Sequence, residues 1–186
     1  MRKKVSLSVY KDEIIFRGGF LLTNIMSVQT RTTRDIDITC LSKIYKIEDI
    51  KKMMYEIFST SSECPFVFDI INIKSNMNNR YEPGYGLTIS AKFDRIKLNF
   101  KIDISCGSLV FPKDIHYKSK GFITDKLIHI QTYPLENIIA EKFETLLDRG
   151  YTNGRMRDFY DIYIILSEKE KYGFNDTVYD ETLISV

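Results

Sequence analysis

Two aspartates, Asp35 and Asp37, stand one residue apart in the alternating segment 35–40, which reads DIDITC. Because side chains alternate along a strand, this segment predicts a β-strand with both carboxylates on one face and apolar residues on the other. Two like charges held this close are unfavourable without a cation. Mg²⁺ removes that repulsion and prefers carboxylate oxygens together with substrate phosphate. The pattern therefore predicts a magnesium site, with a solvated polar strand face as the alternative.

A third carboxylate, Asp103, belongs to the polar face of another alternating segment, 96–104. The apolar positions of that segment alternate with Lys97, Asn99 and Lys101, so we expect a strand near the centre of the sheet. Asp103 would complete a three-carboxylate cluster with the first pair. Such a cluster can bridge two metal ions that activate an attacking oxygen and neutralise a leaving pyrophosphate. An ordinary surface aspartate is the alternative.

A glycine pair, Gly18-Gly19, separates a short apolar segment at 13–16 from residues 20–26, whose apolar spacing is helical. Glycine lets the backbone approach a phosphate closely, and a helix N-terminus offers free N–H groups with positive potential. The pair is therefore a candidate phosphate-binding turn. A plain tight turn between strand and helix is the alternative.

Lys142 interrupts the apolar stripe of a helix predicted at 134–147. A lysine on a core-facing stripe either extends its ammonium group to solvent, forms an ion pair or meets an anion. The stripe consists of Leu135, Ile138, Ile139, Phe143 and Leu146.

Two more carboxylates, Asp158 and Asp161, border the packing face of a second helix predicted at 155–166. Carboxylates in that position often pair with buried cations. The candidate partners are Lys142, Arg155 and Arg157. A salt-bridge network that joins the two helices and a contact with a bound anion both remain open.

The elements that must position these residues suggest an α+β fold, a small mixed β-sheet with helices packed on it. We predict strands at 13–16, 35–40, 66–73, 87–93, 96–104 and 127–130, and helices at 20–26, 47–58, 134–147 and 155–166. Segments 72–86 and 112–121 are expected to be irregular, and 167–186 is weakly patterned. Residues 1–132 would form the core and 133–186 a helical segment of the same unit.

The composition narrows the function classes. The chain has 186 residues, 44% of them hydrophobic, which suits one domain with a substantial core. Its 27 Lys and Arg against 25 Asp and Glu give a net charge of +2, so it is no general polyanion binder. An RNA surface would need local clustering, and the lysines at 113, 118, 120 and 126 are one candidate, with a solvated loop as the alternative.

Cysteines, histidines and apolar runs carry little functional signal. Cys40, Cys64 and Cys106 lack CxxC spacing and form no disulfide framework. His116 and His129 are too few for a zinc or triad argument. No apolar run approaches the roughly 18 residues that span a bilayer. We therefore expect a soluble cytoplasmic protein with no membrane partner.

Four motifs in order resemble those of the AbiEii/AbiGii toxin family, a branch of the polymerase-β-like nucleotidyltransferase superfamily. They are 16–22 with 31–37, then 101–104, then 136–145, and finally 155–163. The resemblance covers about residues 13–166 and implies a polymerase-β-like nucleotidyltransferase fold. It also implies an NTP-dependent enzyme, often paired with an antitoxin in phage defence, and some relatives act on tRNA.

The resemblance also implies roles for individual residues. Gly18 and Gly19 would hold the triphosphate. Asp35, Asp37 and Asp103 would be the Mg²⁺ ligands and belong to the catalytic set. Lys142 would contact the nucleotide phosphates, and Asp158 would support the active site from the next helix.

Two alternatives to RNA transfer remain open. The short flanks of the motifs allow a truncated toxin that only binds a nucleotide, RNA or an antitoxin. The same metal site would also serve transfer of AMP to a protein hydroxyl. The sequence selects neither the NTP nor the acceptor.

Overall fold

A seven-stranded mixed sheet forms the centre of the molecule. The computed structural model describes residues 1–26, 33, 35–42, 46–76, 84–107, 116–120, 127–150 and 154–185. The strands are β1 (Ile14–Arg17), β2 (Asp35–Cys40), β3 (Val67–Asn76), β4 (Gly84–Phe93), β5 (Ile96–Cys106), β6 (His116–Lys120) and β7 (Leu127–Thr132). The helices are α1 (Arg2–Leu7), α2 (Gly18–Met26), α3 (Ile47–Ser59), α4 (Leu135–Arg149), α5 (Met156–Ser167), α6 (Lys169–Tyr172) and α7 (Asp176–Ser185).

The strand order across the sheet is β3-β4-β5-β2-β1-β7-β6. The β2–β5 and β1–β7 pairs are parallel, and the other pairs are antiparallel. β2 therefore lies in the middle of the sheet, with β1 and β5 on either side. The predicted α+β class with a mixed sheet is confirmed.

One face of the sheet forms the larger apolar core with α3. The buried residues of α3, including Met53, Met54 and Ile57, share this core with Phe16 and Ile38 of the central strands. Hydrophobic residues on one stripe of α3 meet the apolar positions of the alternating strands, which is how an amphipathic helix covers a sheet. The polar positions of β2 and β5 consequently point to the other face.

A second apolar core holds α2, α4 and α5 beside β1. Ile15 of β1 joins Leu22 of α2, Ile139 of α4 and Ile165 of α5, all at most 2% exposed. The first six residues of α4, Leu135 to Ala140, are all buried. This core therefore fixes the start of α4 and the middle of α5 against the glycine turn that opens α2.

Several predicted boundaries were wrong. Residues 74–76 and 84–86 were expected to be irregular, but they belong to β3 and β4, where Lys74 pairs with Gly86 and Asn76 with Gly84. Asparagine, lysine and glycine favour strands weakly, so here the pairing across the hairpin overrides local propensity. The predicted break between the strands that end at 93 and begin at 96 is confirmed, and Asp94 in this turn has a positive φ of 50°.

Regular structure also extends beyond the other predicted limits. The segment 112–121 was expected to be a connection, yet 116–120 forms β6 beside β7. The weakly patterned C-terminus contains α6 and α7. Between them, the backbone N–H of Asn175 donates a hydrogen bond of 2.6 Å to the carboxylate of Glu136 on α4. Over the described ranges, no helix is both long and apolar enough to cross a membrane.

Candidate active site

The sheet register aligns the predicted carboxylates. Asp37 on β2 is opposite Asp103 on the parallel strand β5 and opposite Arg17 on the antiparallel strand β1. Asp35 lies two residues before Asp37 and is opposite Lys101. Residues matched across a sheet point to the same face, so Asp35, Asp37, Asp103 and Arg17 share the polar face. A hydrogen bond of 3.1 Å between the hydroxyls of Thr39 and Ser105 continues the same alignment.

The carboxylate cluster carries more negative charge than its neighbouring cations offset. Burial raises the pKa of Asp37, the Arg17 guanidinium partly opposes this, and Asp103 and Asp35 raise the pKa further. Partial desolvation likewise raises the pKa of Asp103, with Asp35 as the next cause and with Lys101 and Arg17 opposing the rise. The ionised forms of these groups are therefore disfavoured without a cation nearby.

The donor chemistry of this cluster fits a divalent cation. Asp35, Asp37 and Asp103 offer only carboxylate oxygens, which are hard ligands of the kind that Mg²⁺ selects. Within the described ranges, no three acidic, histidine or cysteine side chains already converge in a coordination arrangement. The cluster thus supplies the ligand types and the excess negative charge that a cation would offset.

The glycine turn packs directly against Asp37. Gly18 has a positive φ of 62°, a conformation that side chains rarely adopt. A Cβ atom added at Gly18 would lie 2.8 Å from Asp37 Cγ, so no other residue fits without displacing this carboxylate. The backbone of Gly19 forms a hydrogen bond to Asp37 that opposes the rise in its pKa. The glycines therefore place the N-terminus of α2 beside the carboxylate cluster.

Lys142 lies between two aspartates of α5. Its ammonium group pairs with Asp158 and is 3.0 Å from Asp161 Oδ2. Arg155 Nε is 2.9 Å from Asp158 Oδ2, which completes the pairing of that carboxylate. The side chains of Lys142, Asp158 and Asp161 are 12%, 5% and 1% exposed. The predicted network joining the two helices is present, with Lys142 and Arg155 as the partners.

Arg17 is a site residue whose role the sequence did not predict. Its Nη1 is 3.3 Å from Glu141 Oε1, and its guanidinium carbon is 5.8 Å from the centre of the Tyr133 ring. Burial lowers the pKa of Arg17, but Glu141, Tyr133 and Asp37 together raise it above its ordinary value. Arg17 is thus a fixed cation beside Asp37. The sequence feature that could have indicated this role is the position of Arg17 directly before the glycine pair.

All seven predicted site residues line one cavity of about 790 Å³. They are Gly18, Gly19, Asp35, Asp37, Asp103, Lys142 and Asp158. Arg17, Glu141, Thr145 and Arg157 also line it. A volume in this range suits a nucleotide-sized ligand. The carboxylates form one wall, the glycine turn a second, and α4 with α5 a third.

The match to known proteins agrees with this arrangement. The sequence profile of the family described as "Nucleotidyl transferase AbiEii toxin, Type IV TA system" matches residues 1–185. No curated protein matches this chain.

Two solved structures share the fold. The structure of JHP933 from Helicobacter pylori has a TM-score of 0.58 at 16% identity, with 98% of this chain and 72% of that chain covered. A second H. pylori structure, described provisionally as a nucleotidyltransferase, has a TM-score of 0.57 at 15% identity, with coverage of 98% and 74%.

Proposed function

As the chain belongs to the AbiEii nucleotidyltransferase toxin family of type IV toxin–antitoxin systems, we propose that it transfers a nucleotide from an NTP to an RNA acceptor, with tRNA as the leading candidate. We further propose that the reaction depends on Mg²⁺. The observation that carries this proposal is the row of Asp35, Asp37 and Asp103 on one wall of a nucleotide-sized cavity.

The three carboxylates would hold the metal. When bound, Mg²⁺ neutralises phosphate charge and favours the deprotonated acceptor hydroxyl. Asp103 is exposed, and its raised pKa suits a general base that takes the hydroxyl proton. The acceptor oxygen then forms a bond to the α-phosphorus. The bond between that phosphorus and the β-phosphate bridging oxygen breaks, and pyrophosphate leaves with its electron pair.

The opposite walls would hold the triphosphate. Gly18 and Gly19 bring backbone at the N-terminus of α2 to the cavity, where free N–H groups and positive potential favour phosphate. Lys142 has three N–H donors. Its pairing with Asp158 and Asp161 uses two of them and leaves the third for a phosphate oxygen. Asp158 would therefore act by orienting Lys142.

The family also implies a partner and a setting. A type IV toxin–antitoxin system contains a cognate antitoxin, which we propose opposes the activity of this chain. The substrates proposed here, NTP and tRNA, place the reaction in the cytoplasm. A role in phage defence would follow from the same toxicity.

The test is incubation of the purified protein with each α-³²P-labelled NTP, Mg²⁺ and total tRNA, followed by a denaturing gel. The Asp35→Ala/Asp37→Ala variant should lose all label. The matched control is Asp180→Ala/Glu181→Ala, which removes two exposed carboxylates from α7 outside the cavity and should keep the activity.

The position of the label decides between acceptors. Label on RNA with the wild type and with the α7 control supports the proposal. Label on a protein band replaces RNA with a protein acceptor. Absence of label from every candidate acceptor refutes the transfer reaction and favours a module that only binds.

A further inference from the structure

The polar face of β3, β4 and β5 carries four exposed lysines beside the active site. Lys74 lies on β3, Lys92 on β4, and Lys97 and Lys101 on β5. Their register with neighbouring strands puts all four on the same face as Asp103. We define this surface, with its four lysines, as the lysine face.

The lysine face is continuous with the carboxylate cluster. Lys101 is opposite Asp35, and Lys74 is opposite Gly86, which in turn is opposite Asp103. Gly86 has no side chain, so no side chain of β4 stands directly beside Asp103. Lys97 is six residues from Asp103 along β5, a distance of roughly 20 Å at the rise of an extended strand.

The helices that contact the sheet lie elsewhere. α3 contacts β3 from the apolar face, α1 contacts β7, and α2 contacts β1 and β2. The side chains of Lys92, Lys97, Asn99 and Lys101 are accordingly exposed. Among the described helices, none covers these four side chains.

The positive charge of the lysine face is concentrated at Lys92 and Lys97, because Lys101 lies close enough to Asp103 to be partly offset by it. Lys92 and Lys97 are directly opposite each other across the β4–β5 pair, an unfavourable placement for like charges. None of the four lysines forms an ion pair with a residue in the described ranges. Asp69, the acidic residue that shares the face on β3, accepts a 3.1 Å hydrogen bond from the Tyr55 hydroxyl. A polyanion lying along the strands would neutralise the facing lysines.

We propose that the lysine face binds the sugar-phosphate backbone of the RNA acceptor and leads its reacting end past Gly86 to Asp103. This inference rests on the proposed function, because it supplies the acceptor-binding surface of that reaction. Phosphate contacts of this kind hold a strand in register without reading its sequence. The exposed Asn72 and Asn99 offer hydrogen bonds to the same strand.

The test measures RNA binding without nucleotide, so it does not depend on transfer. Fluorescence anisotropy with labelled total tRNA would compare wild type with Lys92→Gln/Lys97→Gln. We expect roughly fivefold weaker binding from the loss of two surface contacts. The slope of log K against log salt should become shallower by about 1.4, since each contact to a single strand contributes about 0.7.

The matched control is Lys51→Gln/Lys52→Gln, which removes two adjacent exposed lysines from α3, the helix on the apolar side of the sheet. It carries the same change in net charge and should bind like wild type. Equal binding by both variants, equal weakening of both, or absence of RNA binding by the wild type would each overturn the inference. Weaker binding by Lys92→Gln/Lys97→Gln alone supports it, even where the transfer assay shows no label.

Discussion

Two groups of aspartates, one on the sheet and one on α5, are neutralised differently. On the sheet, Asp35, Asp37 and Asp103 stand together with Arg17 as the cation beside them. On α5, Asp158 and Asp161 share Lys142, and Asp158 also pairs with Arg155. The sheet group has an excess of negative charge, whereas the helix group is balanced by its own chain.

This difference suggests that the sheet group serves ligand binding and that the helix group serves the stability of the fold. A buried carboxylate with a protein cation loses stability when the pair is broken. A buried carboxylate whose neighbours are other carboxylates opposes folding and gains from an added cation. The two groups of aspartates therefore lead to opposite predictions for the effect of substitutions on stability and on activity.

The largest expected effect is on catalysis by the sheet group. Asp37→Asn keeps the shape of the side chain and removes a proposed metal ligand, so transfer should fall on the order of 10³-fold, as expected for losing several kcal/mol of charge stabilisation. The free energy of unfolding should stay the same or rise, because a disfavoured charge is removed. Initial rates with labelled NTP and urea denaturation measure the two quantities.

If Asp37→Asn lost stability as strongly as activity, Asp37 would have the same stabilising role as the aspartates of α5. That outcome would contradict the difference between the two groups. Asp180→Asn on the exposed surface of α7 is the control for general effects of charge removal.

The second effect is on stability through the helix group. Lys142→Met removes the shared cation and leaves Asp161, which is completely buried, without it. The free energy of unfolding should fall by about 3 kcal/mol, typical of breaking a buried ion pair. Urea denaturation measures the change. Lys52→Met on the exposed face of α3 is the matched control, and equal stability of the two variants would contradict a structural role for Lys142.

The smallest expected effect is the pH dependence of the sheet group. The folded-state pKa of Asp37 is raised above its ordinary value of 3.8, so its carboxyl favours folding when protonated. That contribution is complete below pH 3.8 and is lost as the pH rises through the raised value. Without divalent cations, Asp37→Asn should therefore gain stability relative to wild type as the pH increases toward 7.

Thermal denaturation of both proteins across this pH range measures the gap, which is the difference in stability between Asp37→Asn and wild type. Addition of Mg²⁺ at pH 7 should stabilise the wild type and narrow the gap. A gap that is constant with pH would mean that the charge of Asp37 is compensated without a metal.

Local patterns in the sequence predicted much of this arrangement. Gly18 and Gly19 stand between a strand and a helix, and Asp35 and Asp37 need only strand alternation to share a face. The polar side of 96–104 likewise put Asp103 on the correct side of its strand. These inferences depend on neighbours within a few positions, so they did not require the tertiary structure.

Long-range pairing decided what the sequence left open. The position of Arg17 opposite Asp37 depends on the β1–β2 register, and the partners of Lys142 depend on the packing of two helices. The ends of β3 and β4 are held by each other, since neither segment has a strong strand composition. The lysines at 113 and 126 fall outside the described residues, as do the side chains of Lys118 and Lys120, so the RNA-facing patch considered there remains a prediction.

The parallel pairing of β2 with β5 also sets when the site can exist during synthesis. Thr39 and Ser105 meet across that pair although 66 positions separate them, and the wall formed by Lys142 and Asp158 follows later in the chain. Closing such distant contacts is slow compared with forming local helices. A ribosome-bound fragment that ends before β5 lacks Asp103, so the three-carboxylate row can be completed only after more than half of the chain has been translated.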